Sequence, residues 1–265
     1  MMPPRDKAAP PLAPATLSEH KGVRYLHLGT PWVQGAMRVA KPHAIELEYV
    51  QRMMAWMLWR PSDKLTQGHA VQLGLGAASI TRFCHDRLCL RTTAVEVNAA
   101  VIGVCRIWFK LPADGERLTV LNLDAAHWVR NKNNESSAQV LSIDLYDHDA
   151  AAPVLDDEAF YRACYNVLAD GANGEGGLMS VNLFGRDASF EASLQRITRV
   201  FSAHQVWSLQ PTKEGNTVVV ASRGVSLPDS ATLVERAEYI EAQFGLKARK
   251  WVHMIQAPPT TVVSA

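Results

Sequence analysis

Glycine and acidic residues recur in this sequence at a spacing that suits nucleoside binding. Gly74 and Gly76 form a Gly-Leu-Gly step after one apolar run, and Glu96 ends the next run. A turn of this kind lets the backbone approach a nucleotide closely, and a carboxylate about twenty residues on accepts hydrogen bonds from ribose hydroxyls. Asp124 ends a third apolar run, where it could accept from the exocyclic amine of adenine. The ordered set favours an adenosyl site over ordinary turn chemistry.

The residues after the glycine turn narrow the ligand class. Ala77-Ala78-Ser79 stands where a dinucleotide site carries the third glycine that lets the helix pack close to the strand. The sequence also has no Gly-x-x-x-x-Gly-Lys-Ser/Thr segment, which argues against an NTPase. A nucleoside without phosphates, such as an S-adenosyl cofactor, therefore suits this turn better than a nicotinamide dinucleotide.

A fourth apolar run ends in a pair of carboxylates, in the segment Asp144-Leu145-Tyr146-Asp147. Two acids at a strand end can hold a cationic amine, and one of them can accept a proton when that amine attacks. Alternatively, Asp144 caps the next element and Asp147 is a solvated turn residue. Spacing alone leaves both interpretations open.

These residues are predicted to end the strands of an α/β sheet. From residue 69 on, short apolar runs alternate with helical periodicity, which is typical of parallel strands joined by helical crossovers. A short turn at 211–216 makes the last two strands antiparallel. Ligands bind outside the carboxyl ends of such sheets. Seven strands are predicted at 70–75, 92–97, 118–123, 140–145, 178–183, 205–209 and 217–221, and helices at 78–87, 99–109, 157–168 and 188–200.

The region before the sheet is predicted to be a small separate unit. Residues 1–20 are proline-rich and are expected to form a disordered tail. Residues 21–62 are expected to form a β hairpin and then one helix over 45–59, which Pro61 ends. The catalytic-type domain is placed at 63–255, with a tail at 256–265.

Composition excludes several functions. The 265 residues carry 27 Lys and Arg against 26 Asp and Glu, a net charge of +1, so no charge footprint indicates a nucleic acid or membrane partner. No apolar stretch is long enough for a membrane helix. The four cysteines form no Cys-x-x-Cys pair, and we expect buried, reduced thiols, a cytoplasmic location and no bound metal.

Over about residues 24–222 the sequence resembles the spermidine synthase family of polyamine aminopropyltransferases. The resemblance implies a Rossmann-like fold of the S-adenosylmethionine-dependent methyltransferase type, with a small N-terminal β-hairpin domain. It implies aminopropyl transfer from decarboxylated S-adenosylmethionine to a small-molecule amine, and a homodimer is the expected assembly. It rests on an ordered set of residues and motifs: Gln34, Glu46, Tyr49, Gly74-Leu75-Gly76, Ala94-Val95-Glu96-Val97, Asp124-Ala125, Asp144-Leu145-Tyr146-Asp147, Phe160-Tyr161 and Pro211-Thr212.

Carried over by position, the resemblance assigns roles to these residues. Glu96 would bind the ribose and Asp124 the adenine beside the Gly74 turn, and Asp144 would hold the attacking amine and act as base, with Asp147 beside it. The remaining residues assigned to the substrate pocket are Gln34, Tyr49, Tyr146 and Lys213.

The sequence departs from the family pattern at four positions. The glycine-turn residue that is Asp in the family is Ala77, and Val50 replaces a Gln or His. Lys213 stands where the family has a tyrosine, and His148 where it has Asp-Pro. These changes predict an atypical acceptor pocket.

Two other functions stay open. One is an S-adenosylmethionine-dependent methyltransferase, which the changes at 77 and 213 favour. The other is a non-catalytic nucleoside-binding homologue, in which tryptophans 32, 56 and 59 could pack against a second subunit as well as in the core.

Overall fold

The computed structural model describes residues 12–146, 155–171, 175–184 and 188–257. The first described elements form a three-stranded antiparallel sheet in the order β1-β2-β3. The residues 15–20, predicted to lie in a disordered tail, form the first strand of this sheet. A tight turn at Lys21 and Gly22, both with positive φ, folds that strand back onto the hairpin. The strands are β1 (Ala15–His20), β2 (Val23–Leu28) and β3 (Gly35–Arg38).

The main sheet has eight strands in the order β11-β9-β10-β8-β7-β4-β5-β6. The five from β8 to β6 run parallel, while β10, β9 and β11 are antiparallel to their neighbours. This confirms the predicted α/β fold and all seven predicted strands; the eighth has two residues. The strands are β4 (His69–Leu73), β5 (Arg91–Glu96), β6 (Leu118–Asn122), β7 (Val140–Ile143), β8 (Gly177–Phe184), β9 (Val206–Leu209), β10 (Asn216–Arg223) and β11 (Ile255–Gln256).

Helices cover both faces of the main sheet. Asp124, Asp157 and Asp229 begin three of them as N-caps, each accepting backbone N–H bonds with its side chain. The sequence pattern did not predict α4, α7 or α8. The helices are α1 (Glu48–Met53), α2 (Ser79–Arg82), α3 (Ala99–Trp108), α4 (Ala125–Arg130), α5 (Glu158–Val167), α6 (Ala188–Phe201), α7 (Ser230–Phe244) and α8 (Ala248–Val252).

The apolar segment predicted as one helix over 45–59 has two parts. Only α1 is α-helical, and Met54–Trp59 continues as a 3₁₀ helix in which every residue is buried. Trp56 and Trp59 lie in the core, and the Trp59 ring lies 5.3 Å from that of Trp207. Packing within one chain thus accounts for these two tryptophans. Trp32, by contrast, is 63% exposed.

The cysteines agree with the prediction at three positions of four. Cys84, Cys105 and Cys164 are buried, and burial raises the pKa of the Cys84 and Cys105 thiols to about 12. Cys89 is exposed, contrary to the prediction, and lies at positive φ in the turn that ends the helical segment before β5. Among the helices described, none combines the length and apolarity that crossing a membrane requires.

Candidate active site

A cavity of about 520 Å³ lies at the carboxyl ends of the parallel strands, between the main sheet and the N-terminal sheet. Because β4, β5, β6, β7 and β8 are neighbours, their ends present a continuous row of side chains to it. The predicted residues that line it are Gln34, Tyr49, Gly74, Gly76, Glu96, Asp124, Asp144 and Tyr146. The three carboxylates therefore face one hollow.

Gly74 allows β4 and β7 to end close together. A Cβ added there would lie 2.1 Å from the backbone oxygen of Asp144, and its φ of +82° is in the left-handed region that favours glycine. Gly76, with φ +50°, continues the turn beside the backbone oxygen of Gln34. The turn thus exposes backbone to the cavity at the point where the strand order reverses.

Glu96 ends β5 with its carboxylate held by the backbone. Its two oxygens accept from the N–H of Leu75, at 2.9 Å, and of Asn98, at 2.8 Å. Burial raises the pKa of Glu96 above its ordinary value, and these N–H groups partly oppose the shift. Each carboxylate oxygen has a second lone pair, so the group can still accept from a ligand.

Asp124 caps a helix and also lines the cavity. Its Oδ1 accepts from the N–H of Ala126 at 2.6 Å and caps α4. The described hydrogen bonds of this carboxylate involve only Oδ1, and Asp124 lines the cavity. Asp124 can therefore cap α4 and contact a ligand at the same time.

Asp144 is the centre of a hydrogen-bond network. Its Oδ2 accepts from the Tyr49 hydroxyl at 3.2 Å, and its Oδ1 accepts from the side-chain amide of Asn182 at 2.9 Å. Asn182 in turn accepts from the amide of Asn216 at 3.1 Å. Burial raises the pKa of Asp144 to about 6, although both hydrogen bonds act to lower it. At neutral pH this carboxylate is ionised but readily protonated.

The segment Asp144-Leu145-Tyr146-Asp147 is described only as far as Tyr146. The Tyr146 hydroxyl donates to the backbone oxygen of Asn182 at 3.0 Å and accepts from the N–H of Phe184, so it fixes the end of β8. Burial raises the pKa of Tyr146 above its ordinary value. Asp147 and His148 lie outside the described residues, and the role predicted for Asp147 stays a prediction.

The N-terminal sheet closes the cavity and packs against the glycine turn. Gly35 begins β3, and a Cβ added there would lie 2.5 Å from the Cβ of Ala77. Ala77 is buried in this contact and does not line the cavity. The change from Asp to Ala at this position therefore leaves an apolar contact where the family resemblance implies a ligand contact.

The turn between β9 and β10 differs from the prediction. Lys213 is exposed and does not line the cavity, whereas its neighbour Glu214 does. The turn thus brings a carboxylate, not an ammonium, to the pocket. Tyr49 is accompanied there by Glu48, which forms an ion pair with the buried Arg52.

Four lining residues with a carboxylate or amide side chain escape sequence reasoning: Glu48, Asn182, Glu214 and Asn216. Asn182 is the one with a readable signal, since it lies near the end of a predicted strand. Asn216 reaches the site because β10 runs antiparallel beside β8, so that its first residue pairs with Phe184. No spacing in the sequence predicts that β10 lies between β8 and β9 in the sheet. Among the described residues, no group of three His, Cys, Asp or Glu side chains could hold a metal ion.

No model of a known protein family matches the sequence. Relatives do match: the polyamine aminopropyltransferases of Neisseria meningitidis serogroup A and of Chromobacterium violaceum are each 30% identical to the chain, over 91% of this chain and 88% of theirs. Among solved structures, a probable spermidine synthase from Corynebacterium glutamicum superposes with a TM-score of 0.67 at 18% identity, covering 95% of this chain and 94% of that one. Human methyltransferase-like protein 13, solved with SAH, gives 0.62 at 18% identity, covering 83% and 98%.

The architecture is therefore the one shared by spermidine synthases and methyltransferases, a mostly parallel sheet preceded by a small antiparallel one, as predicted. The chain is a transferase of the spermidine synthase-like class. By its 30% identity to these relatives over 91% of the chain, it belongs to the polyamine aminopropyltransferase family.

Proposed function

We propose that the protein transfers an aminopropyl group from decarboxylated S-adenosylmethionine to a polyamine-type amine, through an atypical acceptor pocket. One observation carries the proposal: Glu96, Asp124 and the Asp144 network line a single cavity in strand order. Three inter-strand spacings separate the end of β6 from that of β7, about 14 Å. That is room for a nucleoside at one end and an amine at the other.

The nucleoside end is proposed to hold the adenosyl moiety. Glu96 accepts from the ribose hydroxyls and Asp124 from the adenine amine, while Gly74 and Gly76 let the backbone approach the sugar and the sulfur. A spermidine synthase structure has been solved with the transition-state analogue AdoDATO, which supports a ligand of this class here.

The amine end is proposed to carry the chemistry. The acceptor nitrogen attacks the propyl carbon bonded to the sulfonium, the carbon–sulfur bond breaks, and its electron pair leaves with 5′-methylthioadenosine. The proton released by the acceptor nitrogen passes to Asp144, which is ionised above pH 6. Tyr49 and Asn182 fix this carboxylate, so catalysis comes mainly from positioning the amine. Gln34 and Tyr146 close the pocket, and Asp147 is proposed to lie beside Asp144.

A methyltransferase using S-adenosylmethionine is the second candidate, and one observation favours it. Ala77 is turned into an apolar contact with Gly35, so the glycine turn offers no carboxylate to the amine of a decarboxylated cofactor. Without that contact, the cavity lacks one interaction that would favour binding of the decarboxylated cofactor.

Product analysis separates the candidates. Purified protein is incubated with either cofactor and a panel of mono-, di- and triamines, and products are identified by mass spectrometry. Aminopropylated amine together with 5′-methylthioadenosine supports the proposal, and methylated amine supports the second candidate. Cofactor consumption with neither product rejects both, and binding without turnover, unchanged in Asp144→Asn, indicates a non-catalytic homologue. The predicted homodimer is tested by analytical ultracentrifugation.

A further inference from the structure

Glu214 is a cavity-lining carboxylate that the proposed reaction does not yet use. It lies in the turn between β9 and β10 and lines the cavity together with Asn216. Within the described part of the chain, no hydrogen bond or ion pair involves its side chain. Its charge is therefore available to a ligand.

The turn that carries Glu214 is fixed in place. The N–H of Gly215 donates to the backbone oxygen of Thr212 at 3.1 Å, and the N–H of Asn216 donates to the Thr212 hydroxyl at 3.2 Å. The buried Arg52 donates to the backbone oxygen of Gln210 and thereby ties the turn to α1. The position of the Glu214 backbone is thus set by contacts that do not depend on a ligand.

Strand order places Glu214 on the far side of Asp144 from the nucleoside end. The row of strand ends runs from β6 through β5, β4, β7 and β8 to β10, so Asp124, Glu96, Asp144, Asn182 and Asn216 follow in that sequence. The hydrogen bonds from Asp144 through Asn182 to Asn216 form a continuous polar wall in that direction. Glu214 precedes Asn216 by two residues and lies at the end of this wall.

The charged side chains that line this end of the cavity are acidic. Glu48 is neutralised by Arg52, but Asp144 and Glu214 are not paired with any cation among the described residues. Two carboxylates separated along one wall match a molecule with two ammonium groups, since each amine then meets one charge.

We infer that Glu214 is a specificity-determining residue that binds the distal ammonium of a diamine while Asp144 holds the attacking amine. This inference rests on the proposed aminopropyl transfer and adds the residue that meets the second charge of the acceptor: through Glu214 the pocket binds a diamine more tightly than a monoamine of the same length. Glu214 does not contact the reacting atoms, so its removal changes acceptor affinity and not the chemical step.

The test compares 1,4-diaminobutane with n-butylamine in the wild type and in Glu214→Gln. We expect the KM for the diamine to rise about tenfold in the variant with kcat retained, because one charge–charge contact at a water-exposed mouth is lost. The KM for butylamine should not change, since it has no distal ammonium. Glu238→Gln removes a likewise exposed carboxylate from α7, outside the cavity lining, and should leave both values unchanged.

Equal KM changes for the two amines, or none, would overturn the assignment while leaving aminopropyl transfer intact. If the wild type yields no product from either amine, the proposed function fails, and calorimetric titration of 1,4-diaminobutane into protein saturated with 5′-methylthioadenosine still decides on Glu214. Diamine affinity that is the same in wild type and Glu214→Gln would then reject the role; a loss confined to the diamine would support it.

Discussion

Replacing Asp144 by asparagine should make the protein more stable and inactive. The pKa of Asp144 rises from 3.8 to about 6 on folding because of burial. The folded state therefore binds the proton more tightly than the unfolded state, and ionisation of Asp144 costs stability as pH rises from about 4 to 6. The shift corresponds to about 3 kcal/mol, and solvent contact through the cavity brings it to about 2 kcal/mol.

The amide variant lacks this cost and keeps the shape of the side chain. The oxygen of the introduced amide can still accept from Asn182, and its nitrogen can donate to the Tyr49 hydroxyl, so the network that the carboxylate organises can persist. Above pH 6 we expect Asp144→Asn to unfold about 4–8 °C higher than the wild type, at 2–4 °C per kcal/mol for a chain of this size. Near pH 4 the difference should nearly vanish.

Urea and thermal unfolding between pH 4 and 8 measure this prediction, with 5′-methylthioadenosine production followed in parallel. Asp229→Asn is the control of opposite sign: hydrogen bonds from Thr232 hold the pKa of Asp229 below its usual range. Its carboxylate stabilises the fold at neutral pH, and that contribution is lost as pH falls. The reasoning would be refuted if Asp144→Asn were no more stable than the wild type at pH 8, or if its gain in stability did not depend on pH.

Three other outcomes follow from the site. Because Asp144 must be ionised to accept a proton, kcat/KM should fall as pH drops through about 6, and a flat profile from pH 5 to 8 contradicts its role as base. Gly74→Ala should lower the free energy of unfolding in urea by at least about 3 kcal/mol, because the added methyl group overlaps the backbone of Asp144. Gly103→Ala on α3 is the control, since it has open space around it and should raise that free energy by about 0.5–1 kcal/mol. Similar effects of the two changes would contradict the close approach at Gly74. Glu96→Gln should weaken 5′-methylthioadenosine binding by about tenfold or more in calorimetry but leave adenine binding unchanged, and equal losses would exclude a ribose contact.

Much of the fold could be predicted because its signals are local. Alternating apolar runs and helical segments are set by side-chain periodicity, and strand-end residues such as Glu96 and Asp144 meet at one edge whenever strands are parallel. The segment 15–20 was mispredicted because its strand is stabilised by pairing with β2, a partner that a proline-rich composition does not reveal. The segment 45–59 was predicted as one α-helix from its amphipathic periodicity. From Met54 to Trp59 it is instead a 3₁₀ helix in which every residue is buried.

The acceptor end could not be predicted to the same degree. Asn216 and Glu214 reach the cavity only because β10 inserts between β8 and β9, which is a property of the whole sheet. Resemblance by position placed Lys213 in the pocket, yet a turn of this tightness decides residue by residue which side chain faces inwards. Here it is Glu214.

The contact between Gly35 and Ala77 links two segments that lie far apart along the chain. Since a methyl group at 35 would overlap the one at 77, neither position can gain bulk unless the other yields space. Restoring an acidic side chain to the glycine turn would thus require a compensating shift of the N-terminal sheet. Exchange of the N-terminal sheet between relatives should therefore succeed only when the matching turn is exchanged with it.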